Sequence, residues 1–116
     1  PDVVALDEKT KDVLSMGQLE VLTRISSTES LKIDVPVFLL VGSQDLIFCG
    51  GPLDCATSAN VLAFESSFFS PSASLQVLAV SDTAHDLNLH RNAQGSYRAM
   101  IKWLQRAGYT SSLSSP

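Results

Sequence analysis

Two titratable residues stand where a carboxylate and an imidazole could work as a pair. Asp45 closes the stretch Val35 to Asp45, VPVFLLVGSQD, and His85 closes the stretch Leu75 to His85, LQVLAVSDTAH. Each follows an apolar run by a few residues. A carboxylate that accepts a hydrogen bond from one imidazole nitrogen sets the tautomer of the ring. The other nitrogen is then free to act as a base, and the carboxylate stabilises the imidazolium that forms. This chemistry needs the two side chains in neighbouring loops. Adjacent parallel strands would supply that, because ligands of an open α/β sheet bind beyond the carboxyl ends of its strands.

Other assignments compete for the same residues. A lone Asp after a strand is commonly a turn or cap residue, and a lone His in a polar loop is commonly solvated. Asp82 and Asp86 flank His85 and are alternative acids, although Asp82 is too close in the chain to reach the ring easily from the same loop. His90 is an alternative base, but its place just before the last helix suits a solvated or supporting role. Asp82, His85, Asp86 and His90 are metal-ligating types that match no established ligand spacing such as H-E-x-x-H, so no metal and no cofactor is expected. Leu46, Ile47 and Phe48 follow the acid directly and Leu87 follows the His. They are candidates for lining a substrate pocket, with core packing an equal explanation. Trp103 reads most simply as a last-helix residue packed on the sheet.

The elements that must position this pair follow from hydrophobic periodicity. Val37 to Val41 is continuously apolar, as in a strand buried on both faces of a parallel sheet, and Pro36 is tolerable at its start. Gly42 to Pro52 reads as a Gly-rich loop, and Leu53 to Phe64 as a crossover helix. Ser66 to Ser74 breaks that helix, and Leu75 to Val80 is the second buried strand. Asn92 to Ala107 is the clearest helix, with Ala93, Tyr97, Met100, Ile101 and Leu104 as its apolar stripe, Asn92 as its cap and Gly108 at its C′ position. Before the first strand, Pro1 to Asp7 reads as a leading loop. Asp7 to Ile25 reads as an imperfect helix, capped at Asp7 or Thr10 and weakened by Gly17. Ser26 to Ser30 is polar and loop-like, and Thr110 to Pro116 is a Ser-rich tail expected to fray. The order is helix, strand, helix, strand, helix: an α/β segment over 31–109, preceded by a helical linker region over 1–30 and followed by a flexible tail over 110–116.

Composition adds limits. The 116 residues are 45% hydrophobic with a mean hydropathy of +0.17, which argues against disorder. Only 17% are charged, few for a small domain with its own solvated surface. Two parallel strands also make a poor sheet by themselves, since parallel sheets are covered on both faces. Both points imply that another chain or segment covers part of this surface. The net charge of -4 and the absence of a basic stripe give no support for nucleic-acid binding. No apolar run is long enough for a membrane span, and the opening Pro-Asp has no basic region of a signal peptide. Cys49 and Cys55 read first as two reduced thiols, with a local disulfide as the alternative.

The paired stretches resemble the C-terminal part of an α/β-hydrolase over roughly residues 31 to 107. In that family the acid follows the penultimate strand in a G-x-x-D turn, which Gly42 to Asp45 matches. The His follows the last strand, and Ala84-His85-Asp86-Leu87-Asn88-Leu89 is similar to the G-H-x-x-N-L variant of its motif, with Ala84 in place of Gly. The resemblance implies a parallel, doubly wound sheet of which this chain holds the C-terminal portion. It implies Asp45 and His85 as the acid and base of a Ser-His-Asp triad in an esterase, lipase or thioesterase, and it makes 1–30 similar to the tail of the family's variable cap region. The nucleophile elbow G-x-S-x-G is absent: neither Gly42-Ser43-Gln44 nor Gly95-Ser96-Tyr97 fits. The family order places the nucleophile before the acid, so the implied partner is an N-terminal hydrolase segment or chain that carries it. Outside the resemblance, a non-catalytic module that binds a partner through its sheet edge is the alternative.

Overall fold

A computed structural model describes residues 2–22 and 28–109, with residues 21 and 22 in backbone only. The main elements are α1 (Asp2–Thr10), α2 (Met16–Leu22), β1 (Phe38–Gly42), α3 (Ser58–Glu65), β2 (Gln76–Val80) and α4 (Ala93–Arg106). The chain is mixed α/β. The last residues of the helix expected to reach Ile25, part of the Ser26–Ser30 loop and the Thr110–Pro116 tail lie outside the described residues.

The N-terminal reading needs correction. Residues expected as a leading loop form α1, and the single helix expected from Asp7 is two helices parted at 11–15. Asp2 in the first turn and Lys9 in the last complement the helix dipole, and the Thr10 hydroxyl donates to the Leu6 carbonyl at 2.8 Å. The second helix begins at its own capping box. The Gln18 amide donates to Ser15 Oγ, and the Ser15 amide donates to Gln18 Oε1. That S-x-x-Q signal puts Gly17 in a first turn rather than mid-helix. α1 buries no residue.

The two strands lie within a residue of their expected positions and pair in parallel, in register from Phe38 opposite Gln76 to Gly42 opposite Val80. Hydrogen bonds from the Val37 amide to Ala73 and from the Ser43 amide to Val80 prolong the ladder at both ends. Successive side chains point to opposite faces. Leu39, Val41, Val77 and Ala79 gather around Val61 of α3 with Leu53 and Cys55. Phe38 points the other way and stacks on Trp103 of α4, centroids 5.5 Å apart and planes 17° from parallel. One helix therefore packs on each face. The outer edge of β2 is partly capped, because Ser58 Oγ accepts the Ala79 amide at 2.9 Å. Among the described residues no strand pairs with the outer edge of β1.

The crossover helix starts at Ser58, later than the expected Leu53. Residues 50–56 are held otherwise. Gly50 and Leu53 form an antiparallel bridge, Gly50 and Gly51 turn the chain at φ 114° and 55°, and Cys49 is disulfide-bonded to Cys55. The expectation of reduced thiols is thus overturned, and the disulfide ties the loop that follows Asp45 to the core around Val61. Thr57 then caps α3 by accepting the Asn60 amide at 3.1 Å.

Candidate functional site

The carboxyl ends of β1 and β2 meet closely, and Gly42 is the reason. A Cβ at this position would lie 2.2 Å from the Thr83 carbonyl oxygen and 2.3 Å from that of Ala84. No side chain fits there, so the two loops approach backbone to backbone. The Gln44 amide donates to the Thr83 carbonyl at 2.9 Å, and the Asp45 amide closes a turn on the Gly42 carbonyl at 3.1 Å.

This approach brings Asp45 and His85 together. His85 Nδ1 lies 2.9 Å from Asp45 Oδ2. The other carboxylate oxygen, Oδ1, accepts the amides of Ile47 at 2.8 Å and Phe48 at 3.1 Å. Asp45 is 3% exposed, while the His85 side chain is 40% exposed. Burial works to raise the Asp45 carboxyl, but the His85 hydrogen bond, the Phe48 and Ile47 amides and the His85 charge together outweigh it and hold the group below its ordinary value. An ionised carboxylate only accepts, so Nδ1 of His85 carries the proton and Nε2 is the basic nitrogen. Phe48 lies against the imidazole, centroids 5.1 Å apart.

A cleft of about 510 Å³ opens in front of the pair and runs along the α3 side of β1. Phe48, Leu53, Val61, Phe64 and Leu87 supply much of its apolar wall. Leu87 is in that wall beside His85. Leu46 and Ile47 do not line the cleft, and both are exposed, Leu46 at 93%. The tight turn after Asp45 commits the Ile47 amide to the carboxylate and sends the two side chains outward. Glu65, at the far end of α3, also lines the cleft, and burial raises its carboxyl above the ordinary range.

Neither alternative acid holds the ring. Asp82 occupies the left-handed region at φ 51°, the turn that ends β2 and a conformation Asp tolerates better than most residues. Asp86 lies with it in a second groove, between α1 and the His85 loop. His90 is neither a partner of Asp45 nor merely solvated, because its Nε2 accepts the Ala84 amide at 3.0 Å. Asn92 sits at the cap position of α4 without making the expected cap bond. Its Nδ2 reaches back to the Ser81 carbonyl at 2.9 Å and to Thr83 Oγ1 at 2.7 Å. Thr83 is fully buried. Residues 81–84 are therefore pinned by Gln44 just after β1 and by His90 and Asn92 just before α4. Sequence reasoning allowed His90 a supporting role but did not name its partner, and it read Asn92 only as a cap; the only local signal was polar residues grouped before an amphipathic helix. Among the described residues, no three His, Cys, Asp or Glu side chains are grouped so as to hold a metal ion.

Compared with known proteins, the chain matches no family model and no curated sequence.

Proposed function

We propose that this chain is the acid- and base-bearing part of an α/β-hydrolase that cleaves ester or thioester bonds, with its nucleophilic serine on an upstream segment or a separate chain. The observation that carries this reading is the 2.9 Å bond between a buried Asp45 and a half-exposed His85 at the carboxyl ends of adjacent parallel strands. Asp45 fixes the ring with its proton on Nδ1. Nε2, which is bonded to no side chain among the described residues, takes the hydroxyl proton as the serine attacks the carbonyl. It returns that proton to the leaving group and later activates the deacylating water. Throughout, Asp45 stabilises the imidazolium.

The missing serine is consistent with the sheet. The outer edge of β1 is without a strand among the described residues, and the cleft beside it exposes apolar wall and the acid–base pair together. A further segment seated there would extend the sheet and present a nucleophile at the same rim. The test is hydrolysis of an acyl ester by the assembled protein. His85→Ala is expected to remove nearly all turnover, and Asp45→Asn to lower it on the order of 10⁴-fold, the scale known for such a triad. Undiminished turnover in His85→Ala would leave the chain as a partner-binding module.

A further inference from the structure

The segment that carries His85 is closed on itself by a second histidine. Ala84 immediately precedes His85, and its amide donates to Nε2 of His90 at 3.0 Å. The Leu87 amide donates to the His85 carbonyl and the Leu89 amide to that of Asp86, so residues 85–90 form one compact turn between the two ends of that bond. The His90 carbonyl accepts the Ala93 amide at 3.0 Å, which anchors the turn to the start of α4. A ring nitrogen that accepts an N–H bond is unprotonated, so His90 acts here as a neutral imidazole with its proton on Nδ1.

We propose that His90 is a positioning residue for His85: as a neutral acceptor for the Ala84 amide it sets the turn that delivers the His85 ring to Asp45. Protonation of His90 removes the acceptor and releases the turn. His90 lines the groove beside α1, where the charged and titratable groups are Asp2 and Asp7 from α1 together with Asp82, His85, Asp86 and Arg91. The role matters to catalysis only if the acid–base reading of Asp45 and His85 holds, but its test needs no turnover.

The readout is the Nδ1 proton resonance of His85 in the intact protein labelled with ¹⁵N-histidine, followed from pH 8 downward. In the wild-type protein the resonance is expected to be sharp at pH 8 and to broaden once acid protonates His90 and removes the acceptor. His90→Ala is expected to broaden it at every pH. His90→Gln, whose carboxamide oxygen can accept the Ala84 amide and cannot titrate, is expected to keep it sharp through the whole range. The proposal is overturned if His90→Ala keeps the wild-type signal and pH course, or if His90→Gln loses the signal. Should His90→Ala fail to fold, His90→Gln decides alone: a sharp, pH-independent signal supports the role, and a wild-type pH course overturns it. Loss of ester hydrolysis leaves this resonance unaffected, so the two ideas fail separately.

Discussion

Asp45 makes every contact that a buried carboxylate needs. One oxygen takes two backbone amides and the other takes an imidazole. These bonds favour the ionised form and exist only in the folded chain, so they link stability to pH. The folded group titrates below its ordinary value of 3.8, hence the unfolded chain binds the proton more readily. The stability contributed by Asp45 is fully present above about pH 4 and is lost as the pH falls through the folded value. Acid unfolding is therefore expected to be steeper below about pH 4 in the wild type than in Asp45→Asn, measured by denaturant midpoints across that range. Parallel curves for the two proteins would contradict the bonding described. The pairing of Asp45 with His85 was one open reading of two residues that each follow an apolar run of strand length, and the motif resemblance favoured it. The supporting bonds were not legible in the sequence, although a supporting role was open for His90. His90 and Asn92 act through bonds to residues 6 to 11 positions earlier in the same loop region, and nothing in a residue's type announces which of those atoms it will meet.

At the level of elements, the sheet and the last helix were legible and the connections were less so. Continuous apolar runs identify β1 and β2, and the stripe from Ala93 to Leu104 identifies α4. Gly108 takes φ 79° just past its end, as expected of a C′ glycine. The start of α3 was misplaced because Leu53 and Ala56 fit a helical face, while the bridge at Gly50 and the disulfide hold that stretch in another conformation. Thr57 is the actual cap. The most consequential element contact involves no side chain at all, since Gly42 lets the loop after β1 touch the loop after β2. Gly42→Ala forces a Cβ against two carbonyl oxygens that both belong to pinned backbone. The cost is expected at the top of the overpacking range, about 3 kcal/mol or more, read as a drop in the urea midpoint. A drop below about 1 kcal/mol would mean that the loops part easily and that Gly42 is not what sets their approach.

The whole molecule carries more apolar surface than its helices cover. Leu46, Ile47 and Phe48 are exposed beside the site, and Val3, Val4 and Leu6 are exposed on α1. The radius of gyration is 16.5 Å, where a compact domain of this length would have about 13 Å. Among the described residues the outer edge of β1 also has no strand paired to it, and the cleft before the Asp45–His85 pair is open. On the reading offered, that surface seats the segment that brings the serine. The most direct measurement is covalent labelling of the assembled protein with a serine-directed fluorophosphonate, followed by identification of the labelled residue. One labelled serine outside residues 1–116 is expected, with labelling abolished in His85→Ala. Failure of any serine to label, or equal labelling with and without His85, would contradict it.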